Sequence, residues 1–194
     1  MILSESGLVR SIKQAYKRSG CTIISTGEQI TIYTDDWYVR ADWDKFPIKA
    51  LAAIVECMGT LPTTADALAI MAGQEPQVVM PEAVGQDVAS WEGGEDERDP
   101  VTMVPVLYQG FQLFQKLGGG SCYGISASML AIVERDIAQY KEAARKGETR
   151  LYWRHDGELA ILAAIRPPAT YWARDWERAA WEAMETVDLH RKQE

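Results

Sequence analysis

Three glycines and a serine, Gly118-Gly119-Gly120-Ser121, stand where an expected strand ends and an expected helix begins. Such a loop can turn backbone N–H groups toward a phosphate at the positive end of the helix. The spacing departs from the phosphate loops it would have to match. There is neither GxxxxGKS/T nor GxGxxG, Lys116 precedes the glycines, and Cys122-Tyr123-Gly124 delays the helix. These four residues are the candidate cofactor contact, set against a plain connector, the usual work of glycine. Cys122 beside the loop suggests a nucleophile, because a thiol near a helix N-terminus is acidified and His155 would serve as its base where the two meet. Their spacing does not bring them together, and His155 reads more simply as the corner of a hairpin.

The carboxylate pairs Asp35-Asp36, Asp42 with Asp44, and Glu95-Asp96-Glu97 have neither a neighbouring histidine nor the spacing of a calcium loop. Cys21, Cys57 and Cys122 form no CxxC pair, and only His155 and His190 would be left to complete a zinc site. No catalytic residue, metal or cofactor is therefore assigned. Two patches remain. Trp153, Trp172, Trp176 and Trp181 supply large rings that can anchor a protein interface or, equally, a core. Arg10, Lys13 and Lys17 recur along one face of the first expected helix and are the candidate phosphate contacts, set against an ordinary solvated face.

The elements that position these residues follow from periodicity. Leu8, Val9, Ile12, Ala15 and Tyr16 predict a helix over 4–18 stopped by Gly20. Residues 21–26, 30–34 and 37–41 alternate as a three-stranded meander, with Trp37, Val39 and Ala41 on one side and Tyr38 and Arg40 on the other. Pro47 is expected at the first position of a helix whose stripe is Ile48, Leu51, Ala52, Val55 and Met58, ending at Gly59. A short helix from Thr63 or Thr64 through Met71 and a strand over 77–80 follow.

Residues 81–100 lose the pattern. Glu92, Glu95, Asp96, Glu97 and Asp99 against Arg98 make this an expected acidic flexible loop or linker between an N-terminal α+β half, 1–80, and a C-terminal half, 101–194. The second half reads as a hairpin over 101–117 with Pro105 marking a sheet edge, a helix over 126–146, and a hairpin over 149–165 turning at Asp156-Gly157. A last helix runs from Tyr171 to Leu189, with Trp172, Trp176, Ala179, Ala183 and Val187 as its packing face. The predicted fold class is α+β, antiparallel hairpins with helices on one face, in the order α-βββ-α-(α/β)-ββ-α-ββ-α.

The 194 residues suffice for a core without staples, and 47% apolar with 25% charged residues is an ordinary globular composition. Net charge −8 argues against coating nucleic acid or anionic membrane by bulk attraction. No apolar stretch approaches the length of a bilayer span and Met1 to Ser6 lacks a signal-peptide pattern, so a cytoplasmic location without membrane contact is expected. The reading that results is a non-catalytic binding or regulatory protein working through protein contact or self-association. The alternatives are a nucleotide- or phosphometabolite-binding protein or enzyme using residues 118–121, and a nucleic-acid-associated protein using the basic helix.

Overall fold

The computed structural model describes residues 1–63, 66–93, 99–134, 149–165 and 175–189, and the backbone alone of 137–142. Helix α1, Glu5–Arg18, buries Leu8, Ile12 and Ala15, and the Gly20 N–H closes it on the Ala15 carbonyl at 2.8 Å. Strands β1, Cys21–Ser25, β2, Gln29–Tyr33, and β3, Trp37–Asp42, form the expected meander. Trp37, Val39 and Ala41 enter the main core while Tyr38 joins a second cluster on the other face. Helix α2, Ile48–Met58, follows Pro47, which sits one position earlier than expected, at the N-cap. Its buried residues are Ala50, Ala53 and Ile54, whereas Ile48 and Val55 of the expected stripe are exposed. The helix is apolar nearly all round, so two stripes fit it; the alanine side is the one turned to the core.

Further expectations are corrected, most of them by strand pairing. The short helix over 63–71 is instead strand β4, Ala67–Ile70, hydrogen-bonded antiparallel along β1. A short Ala-rich helix is marginal in isolation, whereas this strand completes the outer ladder of β1. After β5, Gln77–Val78, the loop expected over 81–100 is helix α3 over its first part, Pro81–Glu92, with the proline at the start where it costs no hydrogen bond. Strands β6, Asp99–Tyr108, and β7, Phe111–Lys116, make the expected hairpin, and β8, Cys122–Ser126, follows. Among the described residues of the helix expected over 126–146, the helical part is the single turn α4, Ala127–Leu130, after which Ile137–Glu142 is strand β9, laid between β6 and β10, Thr149–His155; 135–136 and 143–146 lie outside the described residues. Its residues fit both a helical stripe and strand alternation, and the open edges of β6 and β10 decide between them. β6 lies between β9 and β7 and so is not an edge strand, although the described part of β9 does not reach Pro105. β9 pairs with β6 only at 99–102, and the register slips between Met103 and Leu107, so the proline sits at a bulge.

β10 turns through Asp156 and Gly157, both at positive φ, into β11, Glu158–Ala164, as Asp-Gly predicts. Helix α5, Asp175–Glu185, is last. The fold is α+β, and among the described residues eleven strands make one antiparallel sheet in the order β5-β4-β1-β2-β3-β11-β10-β9-β6-β7-β8. β3 of the first half pairs directly with β11 of the second. Gly124 of the terminal strand exchanges two hydrogen bonds with Ile165, just beyond β11, so the last six strands return on themselves as a ring.

Inside that ring Trp153 meets Phe114 edge-on with ring centroids 5.8 Å apart. α1, α2 and α4 pack on this side; α3 and α5 cover the other, so helices occupy both faces rather than one. α1 and α4 touch at Gly7, where a Cβ would lie 1.6 Å from the Ala131 carbonyl oxygen, so no larger residue fits. Buried Glu158 accepts the Ile2 N–H at 2.8 Å and ties the leading segment to β11. Among the described residues no helix is long and apolar enough to cross a membrane.

Candidate functional site

The Gly118–Ser121 loop joins β7 to a strand, not to a helix, which removes the helix N-terminus a phosphate would need. Gly118, Gly119 and Gly120 all hold φ near +90°, a conformation that side chains resist, and this accounts for the triple glycine as a connector. Its surroundings are electronegative. The Cys122 N–H is taken by Glu185 at 3.0 Å, and Asp188 lies against Gly119. Fully buried Gln115 donates to the Val187 carbonyl at 2.7 Å and accepts from the Leu189 N–H at 2.8 Å, pinning the chain end of α5 beside the loop. A helix C-terminus and the Glu185 carboxylate repel rather than hold a phosphate. Gln115 carried no signal in the sequence, since its role rests on partners more than 70 positions away.

Cys122 is fully buried with Val104, Leu113 and Trp181, while His155 is exposed at the β10–β11 corner, so the two do not come together. Burial pushes the Cys21 thiol up to about 12, and it also raises Cys57. On α1, Lys13 is ion-paired with Glu56 of α2, while Arg10 and Lys17 remain exposed. Asp42 accepts from Gln29 at 2.9 Å and faces Lys45, a structural use of that carboxylate.

The tryptophans separate. Trp153 and Trp181 are interior, at 1% exposure each, and offer no surface for a partner. Trp172 lies outside the described residues. Trp176 is 58% exposed. α5 therefore packs through Trp181 and Met184, with Trp181 edge-on to Tyr108 at 5.5 Å, and the expected packing face points the other way. Trp176, Ala179, Ala183 and Val187 form an exposed apolar stripe, flanked by exposed Arg178 and Glu182.

Sequence reasoning missed a cleft of about 620 Å³ at one end of the sheet beneath α3. Trp91 forms part of its wall, with the Arg150 guanidinium 4.1 Å above the ring and also bonded to the Ser90 carbonyl. The Tyr33 hydroxyl donates to Asp87 at 2.9 Å, and behind it Glu92 takes bonds from Tyr38 and from Arg40, the latter at 2.7 Å. Burial, reinforced by Asp87, pushes Tyr33 up to about 12; burial, reinforced by Glu92, raises Tyr38 further. Polar groups at 19–22, 33–35, 74–77, 87–91 and 150 meet only in three dimensions, so no local motif announces them.

No family model and no curated protein matches the sequence. In fold the chain is similar to a protein whose crystal structure is titled "Putative DNA polymerase III beta subunit", from Eubacterium rectale, at 8% identity and a TM-score of 0.34. The match covers 85% of this chain and 65% of that one, so this chain spans about two thirds of that protein's length. A likeness this remote carries no functional argument.

Proposed function

We propose that this chain is a non-catalytic cytoplasmic protein that binds or regulates through protein–protein contact, with self-association through α5 as the form the contact takes. One observation carries the reading: Trp176, Ala179 and Ala183 form an apolar, regular, exposed stripe on a helix already anchored by its opposite side, and exposed Val187, two residues past its end, extends it. Two alanines between two large residues allow a second helix to approach closely, and Arg178 and Glu182 supply flanking charges of both signs. A second copy of the same stripe is the complementary occupant.

Light scattering across a dilution series tests this. The parent is expected to pass from dimer to monomer on dilution. Trp176→Ala is expected to weaken the dimer by about 30-fold, the equivalent of a hot-spot loss of about 2 kcal/mol. Its melting temperature should stay within a few degrees of the parent, since the ring makes little contact within the chain. A monomer at every concentration, indifferent to the substitution, overturns the proposal.

A further inference from the structure

We propose that α3 is a detachable strap: it lifts from the sheet while the strand ladder stays folded, and in lifting it uncovers a row of three tyrosines. The strap packs through a different cluster from α5 and does not depend on self-association.

α3 is held at one end. Trp91, in its last turn, is the one buried residue of its twelve, and half-buried Val88 packs beside it. Pro81, Glu82, Ala83, Gly85 and Gln86, in the first half, are exposed. A helix of this length draws most of its stability from a packed apolar face, which that half lacks. Gly85 weakens it further, because glycine inside a helix costs backbone entropy. Packing does not demand it, since a Cβ there would meet nothing within 4 Å. No side chain caps the N-terminus. The cleft of about 620 Å³ reaches Asp87, Ser90 and Trp91, so even the anchored half is incompletely packed on the sheet.

The bonds at the anchored end are of a kind that water can replace. Tyr33 of β2, Tyr38 of β3, Ile161 of β11 and Tyr152 of β10 stand directly opposite one another across four neighbouring strands. Each phenol in this row donates to α3: Tyr33 to Asp87 at 2.9 Å, Tyr38 to Glu92, and Tyr152 to the Trp91 carbonyl at 3.2 Å. Arg40 adds a bond to Glu92 and Arg150 one to the Ser90 carbonyl. When the strap lifts, these groups take water as their partner, so their net hold is small. The strands beneath keep their ladder and the core on their other face. Lifting therefore costs chiefly the burial of Trp91 and of the row itself. A freed segment of twelve residues does not persist as a helix in water, so lifting and unravelling coincide.

Native-state hydrogen exchange on the full chain, labelled with 15N, tests this. The Val88 to Glu92 amides are expected to share one protection factor, about 100-fold or more below that of the slowest amides of β2, β3 and β11, and to depend on denaturant about a third as steeply or less. Gly85→Ala is expected to slow exchange along α3 about fivefold. Trp91→Ala is expected to strip protection from α3 while the β2, β3 and β11 amide signals stay in place. In that variant N-acetylimidazole, which acylates exposed phenols, should modify Tyr33, Tyr38 and Tyr152, which it spares in the parent. Protection of α3 in the parent equal to that of the sheet, or no protection at all, overturns the proposal, as does an α3 indifferent to Gly85→Ala. Loss of the sheet signals in Trp91→Ala overturns it too, because α3 would then be integral to the fold. A monomeric parent in the dilution series leaves these results unaffected, so the two readings fail separately.

Discussion

At the scale of single residues, the side chains with the most reactive reputations are spent on structure. Cys122 fills the seam between α5 and the sheet, and its backbone N–H donates to Glu185. The glycine run before it exists because three successive positions hold φ near +90°. The sequence could show that the run lacks a phosphate-loop pattern, but the argument against an anion, the Glu185 carboxylate beside it, required the fold. Thiol chemistry checks this directly. With native protein at pH 8, a disulfide reagent is expected to label Cys57 first, as the partly exposed thiol, and to leave Cys21 and Cys122 unmodified until denaturant is added. Rapid native labelling of Cys122 would contradict the burial on which its structural role rests.

Elements were legible where local pattern and tertiary demand agreed. The meander over 21–42, the Asp156-Gly157 hairpin and α1 follow directly from alternation, turn chemistry and a helical stripe. Ile137–Glu142 did not, because its apolar residues satisfy a helical period and a strand period alike, and the decision belongs to neighbours distant in sequence. α5 is the same ambiguity on a helix: two apolar faces, of which the one bearing Trp181 packs. α3 was hidden for another reason. It holds the sheet by Trp91 and a polar set that includes Tyr33, Tyr38, Arg40 and Arg150, none of which betrays the others in sequence.

That polar docking predicts a pH response. Tyr33 is raised from 10 to about 12 and Tyr38 is raised as well, so the folded state favours the neutral phenols. Their stabilising contribution is complete below pH 10 and is lost as pH climbs from 10 through about 12. Melting followed by circular dichroism is expected to begin falling near pH 9, where the Cys21 thiol ionises in the unfolded chain, and to fall more steeply above 10, with a shallower fall above 10 when Tyr33 and Tyr38 are both phenylalanine. An equally steep fall in that double variant would assign the alkaline transition elsewhere.

For the whole molecule, the sheet rather than the helices sets the plan. An eleven-stranded antiparallel ladder begins at the short edge β5, crosses from the first half to the second through β3 and β11, and curls until Gly124 meets Ile165. Composition and hairpin signals gave the α+β class, but the strand order depends on non-local pairings that alternation does not encode. Among the described residues the outer stripe of α5 is left exposed by this plan, and association through it is the central claim. Acrylamide quenching of tryptophan fluorescence, compared between the parent and Trp176→Phe over a dilution series, isolates the exposed indole. The account predicts that the component belonging to Trp176 is fully quenchable at low protein concentration and becomes shielded as concentration rises through the dimerisation range. If that component quenches equally at every concentration, the stripe stays open to water and the claim of association through α5 is wrong.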